Sequence, residues 1–221
     1  MKNILFIFIA FLSVSLASCD LGNDPDVGGT ATKGLNGEYY VQKLEAPGGA
    51  VLADYTKWTI SNTAANTADK IQITDNDNVW GFKGKFNCNV PNLTFSGEAI
   101  PNPSFAAASE PDPSPYQPIG TIDTVGTDFP KFMTITDGAV FQGAAHVPSK
   151  TVADSIAFSA TGIFYAASFK VVSYAYDTTS IDPLVIDTLN VFQFVEEFPD
   201  YQDGPYFITG FKRTGFREDE H

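Results

Sequence analysis

Apolar and polar residues alternate along most of the chain after residue 36. The alternation is clearest over Val79–Phe86, where three aromatic residues and a glycine share one face and two lysines share the other. In Tyr55–Asn62, Trp58 and Ile60 lie on the face opposite to Lys57. Because successive side chains of a strand point to opposite faces, this period of two predicts half-buried β-strands.

Turn-forming residues separate the alternating stretches, and the Asp137–Gly138 pair predicts a two-residue hairpin turn. No long helical period occurs, which argues against βαβ units. We therefore predict an all-β fold, an antiparallel up-and-down β-barrel of roughly eight to ten strands, with a sandwich as the other arrangement that disposes of exposed edges. The predicted strands are 37–44, 55–62, 70–74, 79–86, 91–97, 132–136, 139–143, 154–161, 169–176, 189–196 and 206–214.

Residues 99–130 interrupt this pattern with seven prolines. Each proline removes a backbone donor, so we expect a long surface loop inserted in the domain. The competing interpretation is a linker between two domains. If residues 99–130 were such a linker, neither the segment before it nor the segment after it would have enough strands to enclose a hydrophobic core.

The first residues have the features of an export signal. Lys2 is followed by an apolar run and by Leu16-Ala17-Ser18, so residues 1–18 are predicted to be a signal peptide. The apolar run is too short to span a bilayer, which takes about 20 apolar residues. Cys19 follows directly and resembles the acylated cysteine of the bacterial lipobox, so it is predicted to anchor the chain to a membrane through its acyl chains. The other interpretation is a soluble secreted protein.

Residues 19–36 form an acidic, glycine-containing segment that predicts a flexible tether. An acidic stretch after the cysteine resembles the signal that places Bacteroidetes lipoproteins on the cell surface, and an ordinary tether ending at the periplasmic face of the outer membrane is the alternative. The domain is expected over 37–216 and a disordered tail over 217–221.

The composition of the chain argues against some classes of binding partner. The formal net charge is −13, which disfavours nucleic acid and anionic membrane surfaces. Of the two cysteines, lipidation of Cys19 leaves Cys88 without an intramolecular partner, and a small apolar role is expected for it.

The sequence contains few motifs that are typical of catalytic or metal-binding sites. His146 is the available base for an activated serine, with Asp154 as an orienting carboxylate, but Ser149 is too close in sequence to be its nucleophile and no Gly-x-Ser-x-Gly elbow occurs. Asp75–Asn78 begins like a calcium loop but has tryptophan where glycine is required, so it predicts a turn. We predict no metal and no cofactor.

Four segments resemble the Bacteroidetes lipoprotein family labelled "lipid-binding putative hydrolase": Gly37–Val41, Ile60–Asn66, Val79–Lys85 and Ile208–Phe216. The resemblance covers most of residues 37–216 and departs in the proline-rich loop and between Gly162 and Asp187. It implies a calycin-like β-barrel with an interior cavity. No catalytic motif of the sequence corresponds to the hydrolase part of the label.

Calycin-like barrels often close with an aromatic residue of the first strand against an arginine of the last. We therefore expect the first and last strands to pair and Tyr39 or Tyr40 to pack near Arg213.

The sequence predicts a lipid-anchored protein of the outer membrane whose barrel binds a lipid-like or other apolar ligand. The same aromatic residues would be plain core in a filled barrel, and the protein would then be a structural or partner-binding accessory of the envelope; a hydrolase is the third candidate. The predicted ligand-binding residues are Trp58, Trp80, Phe82, Phe86 and Phe95.

Overall fold

The computed structural model describes residues 29–176 and 188–220. Within these residues the chain forms nine strands and a 3-10 helix at Arg217–Asp219. The strands are β1 (Gly37–Leu44), β2 (Val51–Asn62), β3 (Lys70–Thr74), β4 (Lys83–Asn89), β5 (Thr94–Pro101), β6 (Ile122–Gly126), β7 (Phe132–His146), β8 (Val152–Tyr176) and β9 (Thr188–Lys212).

The nine strands form one antiparallel sheet, and eight of them close into a ring. The ring follows chain order from β1 to β5 and then through β7, β8 and β9, because β9 pairs with both β8 and β1. This arrangement is barrel-like, and it confirms the prediction of an all-β antiparallel fold with eight to ten strands.

Burial alternates along the ring strands as the sequence pattern predicts. In β3 only Ile71 and Ile73 are buried, and in β8 the buried positions Ile156, Phe158 and Ala160 are two residues apart. These side chains belong to one hydrophobic core inside the ring. Full burial of a large apolar side chain contributes about 1.5–3 kcal/mol, so this inward face is what stabilises the ring.

The two longest strands differ from the prediction. Each of β8 and β9 has 25 residues and joins two predicted strands into one. The segment Phe198–Pro205, predicted as a loop, lies inside β9. Four register shifts between β8 and β9 absorb the irregular residues without ending the pairing, as β-bulges do.

The predicted turn at Asp137–Gly138 is wrong, because β7 runs through it. Asp137 has a φ of 55°, and the register with β8 shifts between Thr136 and Ala139. The positive φ of Asp137 therefore makes a bulge in a continuous strand. β7 keeps β5 on one side and β8 on the other, which a hairpin at this point would not allow.

The fourth strand begins four residues later than the alternation indicates. Gly81 has a φ of 59°, so Val79–Phe82 leaves the extended conformation, and β4 starts at Lys83. Trp80 and Phe82 are nonetheless buried, as predicted.

The proline-rich segment 99–130 is not entirely a loop. β5 continues to Pro101, and Ile122–Gly126 forms β6, which pairs with residues 166–170 of β8. Because 122–126 contains no proline, its backbone donors are available for an edge ladder. With the outer halves of β8 and β9, β6 forms a three-stranded extension of the ring.

The first and last strands pair, as expected, with Tyr39 opposite Lys212 and Tyr40 opposite Phe211. Arg213 lies close to two carboxylates and to Tyr40: the hydrogen bonds to Glu220 and Glu38, and then the charges of Glu220 and Tyr40, raise the pKa of its guanidinium. Its Nη1 donates to Glu38 Oε2 at 2.8 Å and its Nη2 donates to Glu220, so carboxylates hold this side chain.

The end of the chain also differs from the predicted disordered tail, since Asp219 of the 3-10 helix is buried. Cys19, the predicted signal peptide and most of the predicted tether lie outside the described residues, as do residues 177–187. In the part of the chain that the structure describes, no helix has the length and apolarity to cross a membrane.

Candidate functional site

The ring interior brings together all five aromatic side chains predicted to bind ligand. Their exposed fractions range from 0% to 3%, and all belong to the same core. Trp58 comes from β2, Phe86 from β4 and Phe95 from β5, while Trp80 and Phe82 come from the segment before β4.

The aromatic rings pack edge to face or tilted against one another. The ring centroids of Trp58 and Trp80 are 6.2 Å apart, and those of Phe82 and Phe86 are 5.7 Å apart. Phe158 of β8 joins the cluster, with its centroid 5.4 Å from Trp58 and 5.6 Å from Phe95. Sequence reasoning did not select Phe158, although the alternation of 154–161 places it on the inward face.

The indole nitrogen of Trp58 is an unusual polar group in this apolar interior. The Trp58 side chain is buried, and its indole N–H has no hydrogen-bond partner among the residues that the structure describes. Buried donors are nearly always paired, and an unpaired one is destabilising by about 1–3 kcal/mol. An acceptor oxygen introduced into this apolar interior would therefore gain a ready hydrogen bond from Trp58.

A polar cluster lies beside Trp80 and consists of Lys43, Trp80, Asp203 and Tyr206. The Trp80 indole N–H and the Tyr206 hydroxyl each donate to Asp203 at 2.7 Å. The Lys43 Nζ lies 3.6 Å from Asp203 Oδ2, 3.9 Å from the centroid of the Tyr206 ring and 4.9 Å from that of Trp80. One cation and one carboxylate thus meet at the edge of the aromatic interior.

The surroundings of Asp203 shift its titration. Burial raises the pKa of this carboxyl, but the hydrogen bonds from Tyr206 and Trp80 and the charge of Lys43 outweigh burial and hold the pKa below its usual value. The same hydrogen bond to Asp203 raises the pKa of Tyr206. Asp203 is therefore an ionised acceptor, a poor choice for a general acid at neutral pH.

Two surface cavities flank β4. A cleft of about 580 Å³ lies between β4, β5 and the bulge of β7, and Cys88 lines it. Burial, and then the charge of Asp69, raise the pKa of the Cys88 thiol, which disfavours a nucleophilic thiolate. A groove of about 280 Å³ lies on the other part of β4 and is lined by Gln72, Lys83, Gly84, Lys85, Ile100, Pro101 and Pro103.

The structure does not assemble a catalytic group around His146. That residue is exposed at the end of β7. Asp154 instead accepts from the backbone N–H of Gly143 at 3.1 Å and lies 3.6 Å from Lys212 Nζ. Ser149 Oγ donates to Asp219 Oδ2 at 2.6 Å, a bond that ties the C-terminal segment to the ring.

Asp75 forms the predicted turn and does so through its side chain. Its two carboxylate oxygens accept from the backbone N–H groups of Asp77, Val79, Trp80 and Phe82 at 2.6–3.2 Å. Its acceptor capacity is therefore used by the turn. Across the described ranges, no group of three or more histidine, cysteine or acidic side chains is placed to hold a metal ion.

Residues 24–217 match the protein family described as "Lipid-binding putative hydrolase". The chain belongs to this family. The family description is consistent with a lipid-binding module, and the match confirms the "lipid-binding putative hydrolase" part of the resemblance seen in the sequence. No curated protein matches the chain.

Proposed function

We propose that this protein is a lipid-anchored component of the cell envelope whose ring domain binds a lipid-like or other amphipathic ligand. The membership in a lipid-binding family supports the ligand class. The Trp58 N–H supports the location, because within residues 29–176 and 188–220 it is a buried donor without a partner among aromatic and aliphatic side chains. A ligand with a long apolar chain and an acceptor oxygen within that chain would satisfy both features.

The anchor is proposed from the sequence. Acyl chains on Cys19 would hold the protein at the outer membrane, facing the cell surface or the periplasm, and burying each methylene contributes about 0.8 kcal/mol. Metabolic labelling with a radioactive fatty acid should label the wild-type protein and not Cys19→Ala. An unlabelled wild-type protein would contradict the anchor and leave the ligand proposal standing.

The tryptophans give a direct test of ligand binding, since the chain has only two and both lie in the aromatic interior. Bromine quenches indole fluorescence at close contact. We expect a brominated fatty acid to quench the emission of Trp58→Phe and of Trp80→Phe, each of which keeps one indole. The same fatty acid without bromine serves as control, since it should bind without quenching and displace the brominated probe.

The Trp58 donor adds a quantitative expectation. With Trp80 as the reporter, Trp58→Phe should raise the Kd for a brominated fatty acid that carries a keto oxygen within its chain roughly tenfold, the equivalent of one hydrogen bond of about 1.4 kcal/mol. Unchanged emission of both single-tryptophan variants at saturating probe would contradict an interior ligand.

The alternative function, a partner-binding accessory, has one observation in its favour. The three-stranded extension exposes large apolar side chains, including Ile122, Phe194 and Val195, with exposed fractions of 48–58%. Exposed apolar patches often mark interaction surfaces. This function predicts unquenched tryptophans and native protein that is recovered from cells without bound lipid.

A further inference from the structure

The ring sheet splits between β4 and β5. The two strands pair only over Asn87–Asn89 and Thr94–Ser96. Beyond this point, residues 83–86 of β4 stay paired with β3, whereas residues 97–101 of β5 pair with β7. The facing edges of β4 and β5 therefore diverge, and the groove of about 280 Å³ includes residues from both edges.

One side chain fills the inner part of this split. Ile100 lies against two glycines, one on each diverging strand: a Cβ at Gly84 would lie 2.9 Å from Ile100 Cγ2, and a Cβ at Gly97 would lie 2.8 Å from Ile100 Cγ1. The same two Cβ positions would lie 2.3 Å from Phe82 Cζ and 2.8 Å from Phe86 Cδ1. Ile100 thus separates the groove from the aromatic interior.

The backbone beside Ile100 is strained. Ala99 has a φ of 49°, in the left-handed region that costs a non-glycine residue about 1–2 kcal/mol. The register between β5 and β7 also shifts between Gly97 and Ile100. The surrounding contacts hold this conformation, and leaving it would relieve the strain.

The outer part of the groove carries positive charge. Lys83 and Lys85 are exposed on the same face of β4, about 7 Å apart along the strand. Among the residues with described placement, no carboxylate lies within 4.0 Å of either ammonium, although the protein is acidic overall. Two neighbouring unpaired cations above Ile100 and the rings of Pro101 and Pro103 are complementary to an anion that has an apolar chain.

We propose that the split between β4 and β5 is the binding entrance for an anionic single-chain amphiphile, with its carboxylate or phosphate between Lys83 and Lys85 and its chain displacing Ile100 towards Phe82 and Phe86. This proposal rests on the proposed lipid-binding function and names the head group and the route. The groove is slightly smaller than the usual ligand pocket of roughly 300–1,000 Å³, so without movement of Ile100 it holds only the head group and the start of the chain.

The head-group contact is tested by charge removal. Lys83→Gln/Lys85→Gln should bind the brominated fatty acid about tenfold more weakly and bind its methyl ester with unchanged Kd, because the ester has no charge to lose. Lys170→Gln, which removes an exposed strand lysine on β8, is the matched control and should leave both Kd values unchanged. Inorganic phosphate should not displace the probe, since it has no chain.

The route is tested by the rate of binding. Ile100→Ala should accelerate quenching by the brominated fatty acid several-fold in stopped-flow measurements, because the smaller side chain leaves the split open. Ile119→Ala, which shortens an exposed isoleucine elsewhere, is the control. If Ile100→Ala does not fold, Ile100→Val provides the same comparison with a smaller acceleration.

The outcomes separate the two proposals. An equal loss of carboxylate and ester binding, or none, in Lys83→Gln/Lys85→Gln would overturn the head-group site. An unchanged association rate in the Ile100 variants would overturn the route. In either case, quenching of the wild-type protein would still support the proposed function, whereas absent quenching would remove both.

Discussion

At the scale of single residues, buried polar side chains fix the irregular parts of this protein. Asp75 receives four backbone donors, so the turn before β4 is organised around one carboxylate. Asp203 organises side chains in a similar way. It accepts hydrogen bonds from Tyr206 and from Trp80, which lies 123 positions earlier in the sequence, and it lies beside Lys43. Removing one partner from such groups leaves the others buried without a bond.

Asp75→Asn should lower the free energy of unfolding by about 1–3 kcal/mol, because the amide nitrogen replaces an acceptor that faces backbone donors. Urea denaturation at neutral pH measures this. Asp77→Asn is the matched control, since Asp77 is exposed and asparagine tolerates its φ of 61°. Equal stabilities of the two variants would contradict the role given to Asp75.

Asp203 gives a prediction of pH dependence. The pKa of Asp203 is lower in the folded protein than in the unfolded chain, where it is about 3.9. The ionised carboxylate therefore stabilises the fold at pH values above the unfolded pKa, and this stabilisation is lost as the pH falls through the folded pKa. Asp203→Asn should therefore be less stable than wild type at pH 7, and the difference should shrink below about pH 4. Asp128→Asn, an exposed change, should show no such convergence of urea midpoints.

At the scale of elements, the buried side-chain amide of Asn190 is one of the contacts that hold the proline-rich segment to the three-stranded extension. Asn190 Nδ2 donates to the carbonyl of Pro115 at 2.8 Å, and its Oδ1 accepts from the N–H of Gln117 at 3.0 Å. Proline-containing segments have few backbone donors of their own, so a side chain on β9 supplies the contact.

Asn190→Ala should loosen this segment, because the bonds to Pro115 and Gln117 are lost while the backbone bond of residue 190 to Pro113 remains, and should leave the ring folded. Limited proteolysis should then cut residues 111–121 several times faster than in wild type, with little change in the melting temperature of the ring. Gln193→Ala, an exposed change on the same strand, is the control. Unchanged cleavage of the Asn190 variant would show that other contacts hold the segment.

At the scale of the whole molecule, closure of the ring depends on the β1–β9 pairing. Gly210 permits this pairing, because a Cβ there would lie 1.9 Å from the carbonyl oxygen of Tyr40. Glu38, Arg213 and Glu220 add ion pairs beside it, which are exposed and so contribute little to stability. Backbone approach and core packing therefore close the ring.

Gly210→Ala should destabilise the protein by about 1–3 kcal/mol or more, since the strands must move apart. Gly126→Ala is the control: it places a Cβ 3.8 Å from the nearest atom and should be nearly neutral. Thermal melting of both variants measures the difference. A stable Gly210 variant would show that the ring closes without this approach.

The sequence predicted the aromatic interior correctly at all five positions but not the features around it. Residues on the inward face of a sheet that closes into a ring meet in its interior, whatever their order along the sequence. This is why one core contains Trp58, Trp80, Phe82, Phe86 and Phe95. Lys43, Asp203 and Ile100 carried no local signal. Their roles depend on neighbours contributed by other strands.

The sequence by itself determined the all-β class, the inward faces and the turn at Asp75, because strand periodicity and turn chemistry act over a few residues. Only the tertiary structure decided that Asp137–Gly138 is a bulge, that β8 and β9 are continuous, and that the sheet splits at Gly84 and Gly97. These features follow from pairing between distant segments, where each strand must satisfy two neighbours at once, and no short stretch of sequence contains that information.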